Sequence, residues 1–215
     1  MSASGSTPFL HNDRRPSVYG EAFAKELGID PNLDPSELAE RFREVPAKVI
    51  IEKSTMFKDW DVTNPLPWKP VVDANSPRPF LPATFTQLVE KGHFDTSIPI
   101  LTGLNSEEGL ILSAPFHKSP KRWDLLFRQW DVWAPQLFFN RETDLVDEAD
   151  RACVRQVREK FFPDSTGKSG EVSLIPPFND ANLRRLEQLF TLAIFLAPLQ
   201  KDIKLLHSKG AKIYR

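Results

Sequence analysis

The 215-residue sequence has a single cysteine, Cys153. No internal disulfide can form, and no Cys/His spacing suits a zinc site. No other metal or cofactor motif is present, so none is expected. Glycine is scarce, with 9 residues, about 4% against a typical ~7%. Charge of one sign is missing too: 28 basic against 29 acidic residues give −1, and no Lys/Arg block occurs. That balance argues against nucleic acid or an anionic membrane as the main partner. The longest apolar run, residues 189–199, contains Thr191 and Pro198 and is too short to span a bilayer. Residues 1–7 lack the basic and apolar regions of a signal peptide. No Asn-x-Ser/Thr acceptor triplet occurs.

What the chain does have is proline and a core. Nineteen prolines are about 9% against a typical ~5%, so much of the chain is rigid, non-repetitive connection. With 40% of residues apolar, there is material for a folded domain rather than a disordered tail. A helix is expected over residues 18–27, ended by Gly28. Asp34-Pro35-Ser36-Glu37 opens a second, with Asp34 as cap and Glu37 closing a capping box, and Leu38 and Phe42 give it an apolar stripe toward Val45. Residues 56–82 carry six prolines and are expected to be irregular. Phe85, Leu88 and Val89 mark a short helix stopped by Gly92.

Ile98-Pro99-Ile100-Leu101-Thr102 reads as a strand buried on both faces, as in a parallel sheet, although Pro99 limits it. Ser119 caps a helix carrying Trp123, Leu126, Phe127 and Trp130. Leu145, Ala149, Cys153, Val157 and Phe161 recur every four residues, which turns Cys153 toward a core. Asp180 caps a long helix through Leu183, Leu186, Phe190 and Ile194, kinked near Pro198 and ending at Gly210. Lys212-Ile213-Tyr214-Arg215 opens a strand. Both ends of the chain read as interior sequence.

Few residues carry chemistry on spacing alone. Gly167-Lys168-Ser169 lacks the glycine five residues earlier that a phosphate loop needs; Phe162 stands there. No Gly-x-Ser-x-Gly elbow occurs. His11, His93, His117 and His207 are isolated. Asn105-Ser106-Glu107-Glu108-Gly109 lies just beyond the strand 98–102, and functional groups of open α/β sheets collect at the carboxyl ends of strands. A carboxylate there can orient a histidine for acyl transfer. It can equally be an acidic first helical turn, favoured by the helix dipole.

Read together, these stretches resemble the type-B carboxylesterases, the cholinesterase-like branch of the α/β-hydrolases. Met1-Ser2-Ala3-Ser4-Gly5-Ser6-Thr7-Pro8-Phe9 resembles the family's strand and turn after the nucleophile helix. Trp68-Lys69-Pro70-Val71-Val72-Asp73 and Phe80-Leu81-Pro82 are similar to its "F-x-P-V-V-D" and "F-L-P" segments, followed by Leu88 and Gly92. Ile98-Pro99-Ile100-Leu101-Thr102-Gly103-Leu104-Asn105-Ser106-Glu107-Glu108-Gly109 resembles "P-x-L-x-G-x-N-x-x-E-G", the most specific of these. Ala211-Lys212-Ile213-Tyr214-Arg215 resembles the strand preceding the catalytic histidine loop. The matches run in order and cover the chain end to end.

The resemblance implies a partial α/β-hydrolase fold: later strands of the central sheet, with helices and long Pro-rich connections. Residues 1–215 would be the internal part of one domain, without its N-terminal sheet and nucleophile elbow and without its C-terminal histidine region. Glu108, not Glu107, would be the triad acid. The serine would precede Met1 and the histidine would follow Arg215; His207 would fall in a helix before the last strand. The true N-terminus would then lie elsewhere, so the missing signal peptide says nothing of location. The implied function is a fragment of a serine carboxylic-ester hydrolase, inactive alone, whose parent takes a small-molecule ester. The alternative is a non-catalytic cholinesterase-like binding or adhesion protein. Many members carry a disulfide across the region 28–43; here Ile29 and Arg41 stand at both positions, which leaves that loop to packing. Trp123, Leu126, Phe127, Trp130, Pro135, Leu137, Phe138 and Phe139 are closer to arthropod esterases.

Overall fold

Three glycines that the sequence marks as helix stops adopt the left-handed conformation that favours glycine: Gly28 (φ 73°), Gly92 (φ 75°) and Gly210 (φ 91°). Each closes its helix with the same pair of bonds. The glycine N–H reaches back three residues and the next N–H reaches back five, as in Ile29 N–H to Ala24 O at 2.8 Å and Ala211 N–H to Leu206 O at 3.1 Å. The computed structural model describes residues 16–57, 70–139, 146–165 and 175–215. The segment Met1 to Phe9, His11, Trp68 and Lys69, Leu145, and Gly167-Lys168-Ser169 lie outside the described residues. The described residues fall into two units, 16–57 with 70–84, and 85–215.

In the first unit, α1 (Pro16–Glu26) is followed by α2 (Pro35–Glu44), α3 (Ala47–Lys53) and a 3-10 turn, Ser54–Phe57. The sequence reading did not anticipate α3. Asp34 caps α2 through Ser36 N–H at 2.9 Å, but Glu37 closes no capping box and faces Arg41 instead, at 3.9 Å. Phe23 of α1 stacks on Phe42 of α2, ring centroids 5.9 Å apart, which is packing across the region expected to be held without a disulfide. Beyond the helices, residues 70–84 are irregular, as the prolines require. One carboxylate folds that loop: Asp73 accepts from Phe80 N–H (2.9 Å) and Leu81 N–H (2.7 Å). These bonds hold Asp73 below its usual carboxylate range.

The second unit runs α4 (Phe85–Glu90), β1 (Ile100–Leu101), α5 (Leu110–His117), α6 (Pro120–Arg128), α7 (Trp130–Phe139), α8 (Glu148–Phe161), a 3-10 turn (Pro163–Ser165), α9 (Asp180–Phe190), a π-helical turn (Thr191–Leu196), α10 (Ala197–Ser208) and β2 (Ile213–Tyr214). The described residues are thus mostly helical, with a small two-stranded parallel sheet pairing Ile100 with Ile213 and Leu101 with Tyr214. The strand is shorter than the expected 98–102 because Pro99 has no N–H to give a ladder; pairing begins with Ile100 N–H on Lys212 O, at 2.8 Å. Nor is it buried on both faces. Leu101 is 78% and Ile98 60% exposed, because only two strands pair among the described residues.

The core is a train of aromatic rings. Trp123 meets Phe127 at 4.5 Å, Phe127 stacks on Trp130 at 5.2 Å, Trp130 meets Phe138 at 5.6 Å, and Phe138 meets Phe190 at 4.9 Å. Phe116 adds a last contact on Phe190 at 6.2 Å. Both buried indoles are satisfied: Trp123 Nε1 donates to Pro176 O and Trp130 Nε1 to Val154 O, each at 2.7 Å. The train thereby ties α5, α6, α7 and α9 together. Trp130 opens α7 rather than continuing α6, since the backbone leaves helical geometry at Gln129 (φ −119°).

Two other expectations shift. The α9 cap is Asn179, one residue before the expected Asp180, accepting from Asn182 N–H at 2.9 Å. In place of the expected kink near Pro198, a π-helical turn precedes that residue: Ala197 N–H reaches Leu192 O, five residues back. Pro198 brings no N–H to the ladder, and the chain loosens in the turn before it.

Cys153 is exposed, against the expectation of a core position. The inner face of α8 is Val154 (0%) and Arg158 (4%), one residue round from the apolar series. Arg158 is what the four-residue count misses. Its guanidinium lies 5.5 Å from the Phe127 ring centre and 5.8 Å from that of Trp130. It donates from Nη1 to Phe127 O (3.1 Å) and from Nε to Ser165 Oγ (3.2 Å). Burial pushes this guanidinium below the usual arginine range.

Cys153→Ser is therefore expected to change stability by less than ~0.5 kcal/mol, and Val154→Ala to cost about 2 kcal/mol. Urea unfolding checks this, and equal losses would overturn the assignment of the α8 inner face. Asp73 gives a pH signature. A lowered folded pKa stabilises above the unfolded value, and that contribution disappears as pH falls through the folded one. Amide-exchange protection of Phe80 and Leu81 should persist at neutral pH and vanish in acid. Protection that Asp73→Asn leaves unchanged at neutral pH would show that the carboxylate does not hold the loop.

Candidate functional site

The stretch after β1 builds a tight turn. Residues 102–105 continue from the strand, residues 106–109 turn, and α5 starts at Leu110, whose N–H reaches Glu107 O at 3.0 Å. Of the two glutamates, Glu107 is exposed and Glu108 half-buried. Glu108 folds back over the turn: its Oε1 accepts from Asn105 backbone N–H at 3.0 Å and from Asn105 Nδ2 at 2.9 Å. Its other oxygen, Oε2, takes no hydrogen bond among the described residues. The acidic-first-turn alternative is close to the geometry, because the glutamates sit just ahead of α5 rather than within it.

The next residue locks the turn. Gly109 is buried against the end of α9, and its N–H donates to Thr191 Oγ1 at 2.8 Å. The same hydroxyl donates to Glu187 O at 3.0 Å, so one threonine bridges the turn and the helix. A Cβ on Gly109 would lie 2.1 Å from Glu187 O and 2.6 Å from Thr191 N. Both are backbone atoms, so only glycine allows this approach.

Sequence reasoning singled out Asn105, Glu108 and Gly109 together but missed Thr191. Its signal was there: Thr191 is a hydroxyl interrupting the longest apolar run. His93, His117 and His207 are exposed, and among the described residues no hydrogen bond joins any of them to Glu108. Among the described residues, no group of three or more His, Cys, Asp or Glu is placed to hold a metal ion, and no helix is long and apolar enough to cross a membrane.

The profile of the Carboxylesterase family matches residues 1–215. The chain belongs to this family. Its members have the α/β-hydrolase fold, with which the parallel pair β1–β2 and the surrounding helices are compatible. Ester hydrolysis is the activity that the family's name describes. A protein named Carboxylic ester hydrolase from Bombus ignitus is 29% identical over 122 residues, covering 56% of this chain and 21% of that protein. The match thus spans about a fifth of that relative's own length. No solved structure matches.

The Gly109 approach makes a sharp comparison. Gly109→Ala is expected to cost at least about 1–3 kcal/mol through overpacking. Gly103→Ala, where an added Cβ meets nothing within 4 Å, should stay within ~0.5 kcal/mol. Urea unfolding of both variants measures this; a Gly109→Ala protein as stable as Gly103→Ala would remove the close approach from the account.

Proposed function

We propose that residues 1–215 are an internal part of one carboxylesterase type-B domain and that Glu108 is its triad acid. The carrying observation is the tethering of Glu108 by one oxygen only. Oε1 is held by two N–H groups of Asn105, which leaves Oε2 to accept an imidazole N–H. The parallel pairing supports the same reading. Parallel strands finish at the same end of a sheet, so chain continuing past Tyr214 would emerge at the end where β1 leads to Glu108. A histidine on such a continuation would leave the sheet at the end where Glu108 stands. The exposed Ile98, Leu101 and Tyr214 favour further strands alongside the pair, because an uncovered two-stranded sheet is marginal in water.

The chemistry is acyl transfer in two steps. A serine hydroxyl outside this segment attacks the ester carbonyl while histidine takes its proton. The alcohol leaves with that proton, an acyl-serine forms, and water repeats the sequence to release the acid. Backbone N–H groups, also outside the segment, hold the oxyanion. Glu108 touches only the histidine: it fixes which ring nitrogen carries the proton and stabilises the imidazolium. This segment therefore supplies the acid and its support, and no nucleophile.

The purified 215-residue chain is expected to hydrolyse p-nitrophenyl acetate no faster than buffer and to take no label from a fluorophosphonate. In the longer chain, with a Gly-x-Ser-x-Gly upstream and a histidine downstream, Glu108→Gln should lower kcat about 10³–10⁴-fold and Glu107→Gln less than about twofold. Inhibitor-sensitive turnover by the 215 residues alone, or an unchanged kcat in Glu108→Gln, would sink the reading. A longer chain without the serine or histidine would support a binding protein instead.

A further inference from the structure

We infer that Thr191 and Asn105 are the positioning residues of Glu108, an inference that rests on Glu108 being the triad acid. A glutamate side chain on a turn has three rotatable bonds, and an acid that orients a histidine must keep its oxygens in place. Two devices restrict it. Asn105 grips Oε1 with both its backbone and side-chain N–H groups, at 3.0 and 2.9 Å. Thr191 fixes the backbone one residue further on, taking Gly109 N–H at 2.8 Å while donating to Glu187 O at 3.0 Å. The side chain is thus held from one end and its Cα from the other.

The site of the threonine is specific. Thr191 is the first residue of the π-helical turn between α9 and α10, a feature frequent at functional sites. The turn lies in the helical segment that the aromatic train anchors through Phe190, which touches Phe116 of α5 and Phe138 of α7. Valine at position 191 keeps the shape and removes the acceptor, whereas serine keeps the acceptor. The two variants therefore separate hydrogen bonding from packing.

Hydrogen exchange of the Gly109 amide in the 215-residue chain gives the first readout. Thr191→Val should speed it at least tenfold and Thr191→Ser less than threefold; equal rates in all three proteins would overturn the inference. In the longer ester hydrolase, Thr191→Val should lower kcat about 10–100-fold with KM unchanged, and Asn105→Ala should do the same more weakly. Thr191→Ser should restore kcat. A loosened acid stabilises imidazolium less, so the acid limb of the pH–rate profile should move to lower pH in Thr191→Val. In a Glu108→Gln background, Thr191→Val should have no further effect. An equal loss in both backgrounds, or an unmoved acid limb, would make Thr191 merely structural and overturn the inference. Should Glu108→Gln itself leave kcat unchanged, the triad assignment fails with it, while the exchange rates still report whether Thr191 holds the turn.

Discussion

The second unit is organised around one approach that admits no side chain: Gly109 against the carboxyl end of α9. At 2.1 Å, a Cβ would overlap Glu187 O, so the strand–turn–helix from β1 to α5 and the helical body meet backbone to backbone. The residues of the candidate site lie around that contact. Glu108 precedes it, α5 begins after it, and Thr191 completes it with a bond to each side. A contact this close has no slack, which is why it can transmit position. Small shifts of α9 are felt directly at the turn, whereas two surfaces separated by long side chains would absorb them.

Close backbone contact needs a rigid support, and the aromatic train provides it. Phe190 ends α9, one residue before Thr191, and is fully buried against Phe116 and Phe138. The rings continue through Trp130 and Phe127 to Trp123, with indole N–H groups spent on Val154 O and Pro176 O. Arg158 completes this core in an unusual way, as a buried cation laid over two rings and bonded to Phe127 O and Ser165 Oγ. A charge placed there is costly without such partners. The arrangement therefore specifies how α8 must sit on α6 and α7 rather than simply filling volume.

Much of this was legible from local rules, and the failures share a cause. Gly28, Gly92 and Gly210 mark helix ends because a positive φ is a property of one residue. Ser119 and Asp34 mark starts because a cap is satisfied within a few positions. Pro99 was read correctly as a limit on its strand. By contrast, Cys153 was turned inward because counting apolar residues every four places cannot see that Arg158 is a core residue; only rings from another helix make it one. The strand 98–102 was read as doubly buried because composition alone does not show how many strands pair; among the described residues it has one partner, β2. Glu108 came from a motif and Gly109 with it, but Thr191 lies 82 positions further on, and no local rule connects them.

That separation bears on what a triad acid requires. A carboxylate that orients a histidine has to resist two motions, rotation of its own side chain and drift of its backbone. The sequence handles the first locally, with Asn105 three residues before Glu108, so it is visible as a short motif. The second needs a distant partner, since a turn cannot brace itself. Here that partner is the hydroxyl of Thr191, the first residue of the π-helical turn after α9. It accepts from the Gly109 amide, and its own proton goes back to Glu187 O, so no polar group in the contact is left without a bond. The turn that carries Glu108 is thereby braced by the end of a helix 82 positions away in the chain.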